Sequence, residues 1–142
     1  MYVTLGKIVK IDGNPVELPK NFIEALITEN KEKNAIIVFS SKQGIIRILP
    51  TKTAKSYKIT IHIDELKDDF IDNVVEILSQ CYAKLLYSSG VCFADDQNCF
   101  YECFIENPTE LKETNPETVD VDDIVGELKH ISGVTNVQSN EV

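Results

Sequence analysis

Residues 58–63 read Lys-Ile-Thr-Ile-His-Ile, with Ile59, Ile61 and Ile63 on one face and Lys58, Thr60 and His62 on the other. A period of two marks a strand with one buried face. Immediately after it the period changes. From Asp64, the apolar positions Leu66, Phe70, Val74, Ile77, Leu78 and Cys81 recur at helical spacing, so the strand feeds a helix. Residues 84–94 and 99–106 return to strand character across Asp95-Asp96-Gln97-Asn98, a turn composition. Residues 107–118, with two Asn-Pro steps and three glutamates between and around them, predict a polar loop. Asp120 is an N-cap candidate for a second helix striped by Val121, Ile124, Val125, Leu128 and Ile131. Gly133 is placed to end that helix, and 134–138 predict a last strand.

Upstream the elements are shorter. Residues 3–11 alternate in part, Asp12-Gly13-Asn14 is a turn signal, and 16–18 predict a second short strand stopped by Pro19. Residues 20–27 carry Phe22, Ile23, Leu26 and Ile27 at helical spacing, with Pro19 suited to the first turn. Residues 35–39 and 45–49 are apolar, β-branched strands joined through Lys42-Gln43-Gly44, with Pro50 ending the second. Four short strands and one short helix in about fifty residues bury little area alone. Their exposed edges invite pairing with a second copy, so an intertwined homodimer is expected.

Charge divides where the pattern does. Residues 1–58 hold ten Lys/Arg against five Asp/Glu, a balance of +5. Residues 59–142 hold four against eighteen, a balance of −14, and the whole chain carries −9. A basic segment can approach a polyanion and an acidic one cannot, which suggests two domains with different partners. No run approaches the roughly 18–20 apolar residues a bilayer crossing needs, and the start has no signal-peptide core. The chain is expected to be cytoplasmic, with its four cysteines reduced and packed as small hydrophobes.

Residues 6–20, Gly-Lys-Ile-Val-Lys-Ile-Asp-Gly-Asn-Pro-Val-Glu-Leu-Pro-Lys, with the short helix and apolar hairpin that follow, resemble the AbrB-like swapped-hairpin DNA-binding domains. The resemblance covers about residues 3–50 and implies double-stranded DNA as a partner. Where that family often carries arginines, this chain has Asn14, Pro15, Ile23 and Glu24. The cations left for DNA are Lys7, Lys10, Lys20, Lys42 and Arg47, with Lys52, Lys55 and Lys58 just beyond. Lysines bind phosphate as point charges and lack the fork that reads guanine. The alternative is that they form an ordinary solvated face.

Residues 57–139 give the order βαββαβ, the ferredoxin-like split unit. Within it, the strand 58–63, the acidic segment from Asp64 and the ending Asp-Asp-Ile-Val-Gly-Glu-Leu-Lys-His-Ile-Ser-Gly-Val over 122–134 resemble the ACT domains of metabolic regulators. That resemblance implies a small effector, such as an amino acid, bound where the first strand meets the first helix at an interface between copies. The ligand candidates are Asp64, Lys67, Asp68, Ser88 and Ser89. The segment lacks the family's glycine, and its acids also suit simple helix capping or, less well, a hard cation.

If 95–98 is the turn, Ala94 faces Cys99, Phe93 faces Phe100 and Cys92 faces Tyr101. One hairpin face then carries Cys92, Cys99, Tyr101 and Cys103. The other carries Val91, Phe93, Phe100 and Phe104, interrupted by Glu102. A zinc site from Cys92, Cys99, Cys103 and His62 is imaginable, but the spacing matches no usual finger, and core cysteines are the expectation. Phosphate-loop, dinucleotide and nucleophile-elbow motifs are absent from the sequence, and only His62 and His130 offer imidazole, so no catalytic residue, metal or cofactor is expected.

The expected architecture is thus α+β: an N-terminal swapped-hairpin, β-rich dimerisation domain over 1–52, then a ferredoxin-like, ACT-like domain over 57–142. The expected function is a DNA-binding transcriptional regulator that senses a small effector, assembled as a homodimer or a dimer of dimers and with no membrane partner. The alternative is a regulatory or scaffold subunit that dimerises through the N-terminal domain, never meets DNA and modulates a metabolic enzyme.

Overall fold

The computed structural model describes residues 15, 17–41, 43–92 and 98–142. The expected strands at 3–11 and 16–18 fall mostly outside these residues, and Glu17 and Leu18 have no regular structure.

The first element is α1 (Lys20–Asn30). Pro19 precedes it, and its carbonyl accepts from Phe22 N at 2.9 Å. Proline suits this place because an amide hydrogen there would have no helical partner. The helix stops at Lys31, which turns left-handed (φ 58°) and donates its N–H to Ile27 O at 2.8 Å. Two antiparallel strands follow, β1 (Asn34–Ser40) and β2 (Ile45–Thr51). Gly44 supplies the positive φ of their connection. Pro50 does not end β2. It lies opposite Ala35 within the ladder, tolerated because a two-stranded sheet has only edge strands.

The second sheet has the order β4-β5-β3-β6, with every neighbouring pair antiparallel. Its strands are β3 (Ser56–Ile63), β4 (Leu85–Cys92), β5 (Cys99–Glu106) and β6 (Val134–Glu141). The connections carry α2 (Phe70–Gln80), the one-turn α3 (Pro108–Leu111) and α4 (Val121–Leu128). The chain is therefore α+β, with two antiparallel sheets and four helices among the described residues. None of these helices is long and apolar enough to cross a membrane.

One face of the larger sheet holds the core. The alternation read at 58–63 buries Ile59, Ile61 and Ile63, and β5 buries Cys99, Tyr101, Cys103 and Ile105. Against them pack Phe70, Val74 and Leu78 of α2, Ile124 and Leu128 of α4, and Val137 of β6. Phe70 meets Tyr101 edge-on, with ring centroids 5.8 Å apart. Burial pushes the Tyr101 hydroxyl above its ordinary pKa, partly offset by a hydrogen bond with Ser88.

Three sequence expectations are corrected here. The first concerns α2, which begins at Phe70 rather than at Asp64 and leaves Leu66 exposed. The segment before it is tied elsewhere: Asp64 N donates to Gly133 O at 3.0 Å. A Cβ on Gly133 would lie 2.1 Å from Glu65 O. α4 ends at Leu128, so Gly133 (φ 87°) does not stop the helix as expected; it makes the turn into β6 and admits the Glu65 backbone.

The second concerns residues 107–118, where the polar stretch contains α3. The Asn107 side chain accepts from Thr109 N at 3.0 Å, and Pro108 occupies the first helical position.

The third concerns the β4–β5 register. Cys92 faces Cys99, Val91 faces Phe100 and Gly90 faces Tyr101. This is two residues from the expected pairing, and an even shift leaves every side chain on its expected face. Direct opposition brings Cys92 and Cys99 to a Cα separation of 4.1 Å, and they form a disulfide. Those two cysteines are therefore not reduced thiols, whereas Cys81 and Cys103 are free and buried. Phe93 and Ala94 lie outside the described residues.

Candidate functional site

Alternation sends the other face of the larger sheet away from the helices. It carries Lys58, Thr60 and His62 of β3, Phe100, Glu102 and Phe104 of β5, and Tyr87, Ser89 and Val91 of β4. His62 pairs with Phe100, ring centroids 6.5 Å apart. This separates it from Cys92, Cys99 and Cys103, which face the helices. The imagined zinc set is split across the sheet, and no group of three potential ligands clusters among the described residues. Desolvation pushes the Cys103 thiol up to about 12, and burial followed by Glu127 and Asp123 raises that of Cys81, so both are inert core thiols.

Of the five cations assigned to DNA, Lys7, Lys10 and Lys42 lie outside the described residues. Lys20 is solvent-exposed on the first turn of α1, 3.5 Å from Glu24. Arg47 turns inward: its guanidinium lies 5.0 Å from the centroid of the Tyr87 ring and donates to the Tyr87 hydroxyl at 3.2 Å. A stacked, hydrogen-bonded guanidinium is held in place and withdrawn from other partners. Lys58 pairs with Glu102 and Lys55 with Glu141, each at 2.6 Å. The Glu141 carboxylate raises the Lys55 pKa, first by its hydrogen bond and then by its charge.

The ligand candidates are not gathered within one chain. Asp64, Lys67 and Asp68 lie between β3 and α2, where Lys67 is held by Glu65 at 2.6 Å. Glu65 raises the Lys67 pKa by that hydrogen bond and by its charge. Asp69 takes the N-cap position of α2 without a side-chain cap bond, and Asp72 lies in its first turn, where the helix dipole favours an acid. Ser88 sits opposite Cys103, itself opposite Ile59, five residues and two strands from Asp64. That is roughly 16 Å along the sheet and 10 Å across it. Ser88 and Ser89, adjacent in sequence, also face opposite sides.

The seam between the two sheets was not anticipated from sequence. Glu106, 3% exposed, accepts Lys52 N at 2.8 Å and the Thr51 hydroxyl at 3.2 Å. The Thr53 hydroxyl donates to Lys55 O at 2.7 Å and accepts Asn107 N at 3.1 Å. Glu110 accepts Ala54 N at 2.8 Å and Lys55 N at 3.2 Å. A buried carboxylate is tolerated when donors surround it. The connection at 51–56 is therefore a bonded joint, and the smaller sheet is fixed to the larger by named contacts. Its only sequence signal is the pair of threonines before a strand. Glu106 and Asn107, more than fifty positions later, give no hint that they complete it.

No protein-family model matches the chain, and no curated protein matches it. One solved structure similar to it is the uncharacterized protein TM1266 from Thermotoga maritima. The identity is 20% and the TM-score 0.39, over 62% of this chain and 95% of that one.

Proposed function

We propose that the chain is a DNA-binding transcriptional regulator, with an AbrB-like swapped-hairpin domain for dimerisation and DNA contact and a ferredoxin-like, ACT-like domain that senses a small effector such as an amino acid. The observation that carries this reading is that charge and architecture divide at the same place. The +5 segment 1–58 takes in α1 and the β1–β2 hairpin, and the −14 remainder forms nearly all of the four-stranded unit. The hairpin's own surface supports dimerisation. On one of its faces every cross-strand pair is apolar: Ala35 with Pro50, Ile37 with Ile48, and Phe39 with Ile46. Ile37, Phe39 and Ile46 are 67%, 64% and 64% exposed. An uncovered two-stranded sheet is marginal in water, and a twin supplies the missing layer.

Titrating a fluorescent duplex with the full chain across a salt series tests the reading. Affinity should fall steeply and linearly with log salt as counterions return to the phosphates. Absence of any shift at low salt with micromolar dimer overturns it.

A second reading, a regulatory or scaffold subunit that does not touch DNA, is favoured by Arg47. The lone arginine of the chain is engaged with Tyr87, and the cations Lys55 and Lys58 are paired with acids of the larger unit.

A further inference from the structure

The inference concerns β4, an end strand of the larger sheet with one neighbour among the described residues, and what fastens it. Its centre is Ser88-Ser89-Gly90, where glycine weakens a strand. None of its eight residues is buried, so it gives the core no anchor. Its near end is fixed where Lys84 O accepts from Glu106 N at 2.9 Å. A register shift between Leu85 and Tyr87 then separates that anchor from the stretch 87–92. This stretch is held by its ladder to β5, by the Ser88–Tyr101 hydrogen bond and, at the far end, by the Cys92–Cys99 disulfide. Tyr87 belongs to it, and Tyr87 holds Arg47, the one arginine of the chain.

The disulfide is placed for exchange. Cys92 is exposed and Cys99 is 4% exposed, so an outside thiolate meets Cys92 first. Exposed disulfides are the labile ones. The remaining thiols, Cys81 and Cys103, are buried, and burial raises both above the ordinary thiol range. Neither forms the thiolate that would scramble the pair. One accessible sulfur and no competing thiolate allow the bond to open and close cleanly.

We propose that Cys92–Cys99 is a reversible redox site whose reduction loosens β4 and releases Arg47 from Tyr87. A dithiol supplies the electrons. One of its thiolates attacks Cys92 Sγ, the Cys92–Cys99 bond breaks, and Cys99 Sγ leaves with the electron pair and takes a proton. The second thiolate attacks the reductant's own sulfur in the mixed disulfide, closes the reductant's disulfide and releases Cys92. The two protons lost by the dithiol end on the two cysteines. Hydrogen peroxide reverses the change: Cys92 is oxidised to the sulfenic acid as one water leaves, and Cys99 displaces the second water as the bond reforms. Without the bond, the stretch 87–92 is an edge held mainly by its ladder, and it opens locally with Tyr87 on it. The switch stands whether or not the chain meets DNA. Under the DNA-binding reading, on which this consequence alone rests, release returns the chain's one guanidinium fork to phosphate.

The full chain is treated with dithiothreitol, and its thiols are mapped by mass spectrometry. Cys92 and Cys99 should be reduced in the native chain within about tenfold of the rate in urea. Peroxide should restore the same pair, with Cys81 and Cys103 still thiols. A slower native reaction, pairing that draws in Cys81 or Cys103, or loss of the fold on reduction makes the disulfide a structural staple and overturns the proposal. Phenylglyoxal, an arginine reagent, reads the second half without DNA, so its failure is separate from failure of the duplex titration. Arg47 should be modified about threefold or more faster in the reduced chain, and in Cys92→Ser at its exposed position, than in the oxidised chain. Tyr87→Ala should give the faster rate in either redox state. A smaller rise on reduction, or no rise in Tyr87→Ala, overturns the coupling to Arg47.

Discussion

The two sheets are made of similar residues and have opposite burial. Both are rich in isoleucine and valine, yet of sixteen buried hydrophobic residues among those described, fifteen belong to the four-stranded unit and only Val38 to the hairpin. The larger unit closes because two amphipathic helices lie on one face of four paired strands. The hairpin has two strands and one short helix, which leave Ile37, Phe39 and Ile46 in water. Apolar content alone therefore does not make a core. A second layer does, and among the described residues the hairpin has none over this face.

The largest expected effect sharpens this contrast. Phe70→Ala removes a fully buried ring packed against Tyr101 and should cost about 3–5 kcal/mol in urea unfolding. Phe39→Ala, at a 64% exposed position, should change the subunit's unfolding free energy by no more than about 0.5 kcal/mol. It should act instead on the dimer, raising its dissociation constant roughly tenfold or more in sedimentation. Equal losses of subunit stability in the two variants would break the contrast.

Next in size is Gly133→Ala. The new methyl would sit 2.1 Å from the Glu65 carbonyl oxygen on a backbone with φ of 87°. Strain and displacement together should cost about 2–4 kcal/mol. Gly126→Ala is the control. It lies within α4 with open space around it and should gain about 0.5–1 kcal/mol. Thermal unfolding of both variants reads the difference, and a neutral Gly133→Ala would remove the close crossing of Glu65.

Alkaline pH reaches the larger unit's core through Cys103. Its thiol titrates at about 12 against an ordinary 9.0 because burial disfavours the thiolate. The unfolded chain loses this proton first, so the stabilisation is complete below pH 9.0 and is lost as pH rises toward about 12. The buried Tyr101 hydroxyl, also raised, adds to the same fall. Denaturant unfolding between these limits should show the decline. Cys103→Ala should flatten it, whatever its effect on stability at neutral pH. A slope unchanged by that substitution would mean the thiol is hydrated.

What the sequence disclosed follows from the range of each interaction. The alternation of Ile59, Ile61 and Ile63 and the middles of the α2 and α4 stripes are periodic over neighbouring residues and appear where expected, whereas Leu66, Cys81 and Ile131 at the stripe ends fall outside the helices. Gly133 looked like a helix stop, but α4 already ends at Leu128, and the glycine's actual task was hidden because Glu65 is sixty-eight positions earlier. The β4–β5 faces were legible and their register was not. A two-residue shift leaves composition on each face unchanged, so only the Cys92–Cys99 opposition distinguishes the alternatives. Arg47 looked like a free cation because its partner Tyr87 is forty positions away. The same limit hid the seam, whose donors at 51–55 and acceptors at 106 and 110 are joined only by tertiary structure. Chain proximity misleads in the opposite sense as well: Ser88 and Ser89 are neighbours in the chain, and strand geometry alone puts them on opposite faces.

The smallest effect tests the weaker unit at its best-defined local feature. Lys31 ends α1 with φ of 58°, a conformation in which its Cβ crowds the backbone, while its N–H caps Ile27 O. Glycine removes that crowding but adds freedom to the unfolded chain, so the two terms partly cancel. Lys31→Gly should stabilise α1 by a net of about 0.5–1 kcal/mol. In the four-stranded unit such a gain would disappear into a cooperative core. In the hairpin unit, with one buried hydrophobic residue, it should shift the helical part of the thermal melt by circular dichroism. The unfolding of the larger unit should stay unchanged. A loss of helix stability would mean that α1 does not terminate at Lys31. An equal shift in both units would mean that the bonded seam makes them unfold as one.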